Sequence, residues 1–156
     1  MVKRNSTSRL SSLKEKVILT QTDTTVGFLS QNEHKLQHIK ERPTSKPFIK
    51  VYPDFHSFTL HNRVPSKKKK FVRRALKTTF IVKNQAFRIA PYPLHVKLLT
   101  QTTWFFSTSA NKKGKHFQRE FCEKHADIVI ENKQGLFEGS SSKLYKINDI
   151  KTKRLR

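Results

Sequence analysis

The sequence predicts a single α/β domain built on an open, twisted mixed sheet flanked by helices. Three observations lead there. Strand-like and helix-like stretches alternate, though imperfectly; two strand-like stretches lie close enough together to form a hairpin; and 156 residues suffice for one core.

Taken in order, residues 1–12 are basic and rich in Ser and Thr, and read as a mobile arm. The domain is expected over 13–150, followed by a basic tail over 151–156 that should fray. Lys14 to Thr20 forms a first strand around the apolar Val17-Ile18-Leu19. It runs into Thr20-Gln21-Thr22-Asp23-Thr24-Thr25-Val26-Gly27-Phe28, read as a strand end opening onto a ligand, because open α/β sheets bind where strands finish. A helix over 32–42 follows: Asn32 is its N-cap, Leu36 and Ile39 share a face, and Pro43 ends it.

Pro47 to Tyr52 alternates as a strand. Asp54 to Val64 reads as a helix capped by Asp54, and Ser66 to Lys77 as another that carries Lys67-Lys68-Lys69-Lys70 and Arg73-Arg74. Thr79 to Val82 and Ala86 to Ile89 form the hairpin, turning at Lys83-Asn84-Gln85. Beyond Pro91 and Pro93 come a short helix from His95 to Thr102 and a buried strand, Trp104-Phe105-Phe106, which delivers Ser107-Thr108-Ser109-Ala110-Asn111 at its end. Lys115 to His125 is amphipathic, Asp127 to Glu131 is a strand, Gln134 to Ser141 a loop, and Lys143 to Ile147 a last strand.

Charge sets the class of partner. Thirty-three Lys and Arg against 11 Asp and Glu give a net charge of +22, so the surface attracts polyanions, and tRNA or double-stranded RNA is the first partner to expect. A lone cysteine, Cys122, excludes an internal disulfide framework and suits a reducing compartment; beside Phe117 and Phe121 it reads as structural. The histidines lack metal-ligand spacing, so no dedicated protein metal site is expected. No apolar run approaches the ~20 residues a membrane helix needs, and the first residues lack a signal-peptide core, so a cytoplasmic protein without a membrane partner is expected.

Three polar clusters stand at element exits: Thr22-Asp23-Thr24, then Lys40-x-Arg42 with Lys46-Pro47, then Ser107-Thr108-Ser109-Ala110-Asn111. Fixed cations combined with hydroxyl and amide donors suit a nucleotide triphosphate, whose oxygens need both neutralised charge and directional donors. In this order, with Lys40-Glu41-Arg42-Pro43-Thr44-Ser45-Lys46-Pro47, Arg88 and Ser109-Ala110-Asn111-Lys112-Lys113-Gly114, the chain resembles the YrdC-like family of threonylcarbamoyl-AMP synthases over about residues 14–148.

The resemblance implies a YrdC-like sheet with a concave basic face. It also implies a nucleotidyltransferase that joins L-threonine, bicarbonate and ATP, with Mg2+ accompanying the ATP, into threonylcarbamoyl adenylate and pyrophosphate. The product would pass to the tRNA threonylcarbamoyl transferase machinery. By resemblance Lys40 and Arg42 contact carbamate and phosphates. Lys46, Ser109 and Asn111 hold the nucleotide, Thr22 and Arg88 contact threonine, and Ser141 or Ser142 closes the pocket. The family's Pro before Thr-Asp-Thr and Tyr before Gly are here Gln21 and Val26. The alternative is a catalytically degenerate YrdC-like module that binds double-stranded RNA or tRNA.

Overall fold

The computed structural model describes residues 13–90 and 93–156, with 93–97 described by backbone alone. The expected arm over 1–12, and Pro91, lie outside the described residues. The described residues form one nine-stranded sheet with short helices on both faces. Its strands are β1 (Ile18–Gln21), β2 (Val26–Ser30), β3 (Ile49–Tyr52), β4 (Thr78–Val82), β5 (Gln85–Ile89), β6 (Phe105–Ser109), β7 (Ile128–Ile130), β8 (Lys143–Ile147) and β9 (Thr152–Arg154). The helices are α1 (Glu33–Lys40), α2 (Phe55–His61), α3 (Lys69–Arg74, preceded by a 3-10 turn at Ser66–Lys68), α4 (Pro93–Thr102) and α5 (Arg119–His125).

Strand order is β7-β1-β2-β6-β3-β5-β4-β8-β9, with β1/β7, β3/β5 and β4/β8 parallel and the remaining neighbours antiparallel. The mixed sheet expected from sequence is therefore present. Both strands are buried along their whole length, because side chains on successive residues face opposite layers and both layers are covered. Leu19 and Phe28 pack with Leu36 of α1 and Cys122 of α5, whereas Ile18 and Leu29 pack on the other face with Leu99 of α4 and Phe105. A third cluster seats Phe58 of α2 and Val72 of α3 on Phe80, Phe87 and Ile147, with Phe58 stacked on Phe87 at 4.1 Å.

Local chemistry sets the helix starts. Asn32 caps α1 by accepting from the Lys35 amide, and Asp54 caps α2 by accepting from the Ser57 amide at 2.7 Å. α1 stops at Lys40, earlier than expected: Glu41 turns left-handed at φ 46°, and the residue before Pro43 is disfavoured in helical geometry. The stretch expected to be helical over 66–77 ends at Arg74, and that expected over 115–125 begins at Arg119.

Two corrections concern strands. Val26 to Phe28, read as part of a ligand-facing exit, instead belong to β2, which is buried along its whole length and paired on both sides. Gly27 weakens the strand signal, yet a Cβ there would lie 2.9 Å from the Thr22 methyl and 3.0 Å from the Thr108 carbonyl oxygen, so the glycine marks close approach. The basic tail, expected to fray, contributes β9, which pairs Thr152 to Arg154 with β8. Its order comes from the β8 backbone, because its own side chains are exposed.

Candidate functional site

The hydroxyl-rich segments meet because β1 and β2 form a hairpin and β2 pairs with β6. Gly27 lies opposite Ser109 and Phe28 opposite Thr108, which sets the β6 hydroxyls beside the hairpin. Between β1 and β2 the chain turns through Thr22 to Thr25. The Thr22 hydroxyl builds that turn, donating to the Thr25 carbonyl at 2.6 Å and accepting from the Thr24 and Thr25 amides.

Around this junction lies a cavity of about 340 Å³, lined among others by Thr22, Arg42, Arg88, Ser109, Ser141 and Ser142. It thus gathers six of the nine residues singled out from sequence. A recess of about 260 Å³ adjoins it, sharing Thr25, Ser109 and Ser141 and adding Asn111.

Lys40 and Lys46 are absent from the cavity wall. The Lys40 ammonium donates to the Ser109 carbonyl at 3.0 Å, the Asn111 carbonyl at 2.6 Å and Asn111 Oδ1 at 2.8 Å. All three of its protons are thereby engaged. Ser109 Oγ donates to the same Asn111 Oδ1 at 2.6 Å, and Asn111 Nδ2 donates to the Lys115 carbonyl at 2.6 Å. Lys40 therefore ties the end of α1 to the exit of β6, and burial lowers its pKa from the ordinary 10.5 to about 8. Lys46 contributes its carbonyl, which accepts from Arg42 Nε at 2.8 Å, while Arg42 Nη2 donates to the Pro47 carbonyl at 2.9 Å. The Arg42 guanidinium also lies 4.8 Å over the Phe48 ring, and burial lowers its pKa.

Arg88 is nearly fully buried, at 4% exposure. Its Nη1 donates to Thr24 Oγ1 at 3.1 Å, and its Nε lies 3.4 Å from Asp23 Oδ1. Neither Arg88 Nε nor either Asp23 oxygen has a hydrogen-bond partner, so the pair retains unfilled donor and acceptor capacity. Burial raises the Asp23 pKa against the opposing pull of Arg88, and lowers that of Arg88 against the support of Asp23.

A third guanidinium was not foreseen. Arg156, just beyond β9, lines the cavity and donates from Nε to the Ser142 carbonyl at 3.1 Å. Ser142 is buried and shares a hydrogen bond with Thr79 at 2.8 Å. The loop before it is pinned to the hairpin: the Val26 amide donates to the Phe137 carbonyl, the Phe137 amide to Gln21 Oε1, and the Gly139 amide to Thr25 Oγ1. A Cβ at Gly139 would fall 1.8 Å from the Thr24 carbonyl oxygen, so only glycine fits this crossing. Exposed arginine in a basic tail gave no signal for Arg156; register with β8 supplies its position.

No protein-family model matches the chain. An uncharacterized protein of Mycoplasma pneumoniae, the MG259 homolog, is 30% identical over 120 residues, covering 75% of this chain and 26% of that protein. The chain thus spans about a quarter of the length of the curated relative it matches. Among solved structures, P. abyssi Sua5 complexed with L-threonine superposes with a TM-score of 0.76 at 17% identity, over 96% of this chain and 52% of that one. E. coli YciO superposes at 0.76 and 16% identity, over 96% and 86% of the two chains. This chain has a YrdC-like fold.

HypF in its phosphate- and nucleotide-bound form shares that fold with it, at a TM-score of 0.75 and 15% identity over 96% of this chain and 28% of that one. In this YrdC-like chain no helix among the described residues is long and apolar enough to cross a membrane. Nor do the described residues hold a group of three or more His, Cys, Asp or Glu that could bind a metal ion.

Proposed function

We propose that the chain is a threonylcarbamoyl-AMP synthase, acting on L-threonine, bicarbonate and ATP. The observation that carries this reading is the convergence of Arg42, Arg88 and Arg156 with the hydroxyls of Ser109 and Ser141 around one cavity. Guanidiniums bind phosphate and carboxylate oxygens by planar paired donation, and hydroxyls add direction. The superposed Sua5 carries L-threonine and the superposed HypF carries phosphate and nucleotide, which supports the same two ligand classes here.

The chemistry asks little of an acid or base. Threonine's amine and bicarbonate give a carbamate with loss of water. A carbamate oxygen attacks the α-phosphorus of ATP as the bond to the bridging oxygen breaks, and pyrophosphate leaves. The protein positions the two reactants and offsets charge developing on the phosphate. Arg88, which lines the cavity, suits the threonine carboxylate, and Arg42 and Arg156 suit the phosphates. Lys40 acts through the Ser109–Asn111 turn that it holds. Magnesium arrives with ATP: a wall of hydroxyls and guanidiniums offers it no ligand set, and phosphate oxygens and water would hold it.

Pyrophosphate release from ATP tests the reading. Release should require both threonine and bicarbonate. Release independent of either co-substrate, or no release with all three present, would overturn it.

A further inference from the structure

Asp23 takes no part in the proposed reaction, yet its side chain is only 9% exposed and neither of its oxygens accepts a hydrogen bond. It lines a second cavity, of about 510 Å³, which among the described residues shares only Thr22 and Thr24 with the first. We propose that this second cavity binds an α-amino acid with an apolar side chain. The site is independent of the synthase reading.

Both ends of a zwitterion find a partner here. A carboxylate only accepts hydrogen bonds, so Asp23 has open lone pairs for an ammonium even with Arg88 Nε 3.4 Å from Oδ1. Burial opposes its ionisation more strongly than Arg88 supports it, so a further cation beside Asp23 is favourable. Lys77 lines the same cavity, and its charge acts on Asp23. Among the described residues Lys77 forms no salt bridge, which leaves its ammonium for a ligand carboxylate.

Leu76 and Phe137 supply the apolar part. Both line the cavity, yet they are 67% and 47% exposed. Their backbones are tied down. The Leu76 carbonyl accepts from the Thr78 hydroxyl at 2.8 Å, and the Lys77 carbonyl from the Lys143 amide at 3.0 Å. The Phe137 amide donates to Gln21 Oε1, and its carbonyl accepts from the Val26 amide. Lys77 is left-handed at φ 48°, a costly conformation for a residue with a Cβ, and its bond to Lys143 helps to hold it there. Two large apolar side chains thus stand in water on ordered backbone, one on each side of a buried carboxylate's cavity.

Charge sorts the ligand classes. A free amine is repelled by a chain of net charge +22, and a simple anion meets a stronger set of cations among the guanidiniums of the first cavity. An α-amino acid carries no net charge, so the local placement of Asp23 and Lys77 decides. The volume falls within the range of small-molecule sites and leaves room for a branched or aromatic side chain between Leu76 and Phe137.

NMR titration of the full chain with L-leucine tests the proposal. Amide shifts should move at Asp23, Leu76, Lys77 and Phe137 and saturate with a Kd of roughly 0.1–10 mM, the range open to a ligand with so few heavy atoms. Isoamylamine, isocaproate and glycine each lack one of the three recognised parts, and each should bind at least about tenfold more weakly. Leu76→Ser and Lys77→Gln change exposed side chains, so both variants should fold and release pyrophosphate as the wild type does, yet bind L-leucine about five- to tenfold more weakly. Asp23→Asn should abolish the binding, with circular dichroism checking its fold, whereas Arg42→Ala should retain it. No saturable shift up to about 50 mM L-leucine would overturn the proposal. So would isocaproate binding as tightly as L-leucine, or L-leucine binding lost in Arg42→Ala but kept in Leu76→Ser. L-Leucine bound at these residues in a chain that releases no pyrophosphate would uphold the site and sink the synthase reading alone.

Discussion

Replacing Arg88 with Met would leave the Asp23 carboxylate without its partner charge. The two charges are 3.4 Å apart, and Arg88 is 4% exposed. At an effective dielectric of about 20, that separation corresponds to about 5 kcal/mol of attraction. Breaking one side of a buried pair typically costs about 3–5 kcal/mol, because the remaining charge stays desolvated and unpaired. In urea this loss would lower the unfolding midpoint by roughly 2 M, given slopes of about 1–3 kcal/mol per molar.

The double variant Asp23→Leu/Arg88→Met removes both charges and should recover most of the loss, since apolar replacements of buried pairs are often neutral. pH supplies an independent check. Asp23 has a raised pKa in the fold even with Arg88 present, so this group favours the fold at low pH and its contribution falls as pH rises above 3.8. Without Arg88 that trend steepens, and Arg88→Met should be far less destabilised at pH 4 than at pH 8. Urea unfolding followed by Trp104 fluorescence and circular dichroism measures each case. A single variant as stable as wild type at pH 8, or equally destabilised at both pH values, would refute the reasoning.

Other perturbations have separate readouts. Arg42→Ala should abolish pyrophosphate release while lowering stability by only about 1 kcal/mol, the order of its loop hydrogen bonds and ring contact; normal turnover would misplace the phosphate site. Lys40 loses its proton near pH 8, so the clamp on Ser109 and Asn111 should weaken and activity should fall as pH rises through about 8. Lys40→Arg should move that alkaline limb upward, and an unmoved limb would exclude Lys40 as its source. The stability term runs the other way: the unfolded chain binds this proton more tightly, so its contribution to folding rises from about pH 8 to 10.5. Gly139→Ala drives a methyl into the Thr24 carbonyl and should cost about 2 kcal/mol or more by thermal unfolding, whereas Gly114→Ala, with nothing within 4 Å, should suffer only its left-handed backbone strain.

What the sequence disclosed was local. Asn32 and Asp54 cap helices because their side chains reach amides three residues on, and the β4–β5 hairpin follows from two short apolar runs around Lys83-Asn84. β2 escaped notice because hydroxyls and Gly27 interrupt its apolar signal, although every residue in it is buried. β9 escaped because an exposed basic strand has no apolar face to announce it. In the site, residue types picked out Arg42 and Ser109, and the family resemblance added Arg88, but no spacing rule could disclose that Lys40 binds a partner 71 residues away. Arg156 depends on the same kind of distant register.

The crossing at Gly139 also bears on how ligands come and go. With its backbone wedged against the hairpin and held at Val26, Gln21 and Thr25, the segment leading to Ser141 behaves as a fixed doorpost instead of a swinging door. A preshaped wall gives up little freedom when it is occupied, so encounter with ligand should proceed in one kinetic phase without a slow closing step.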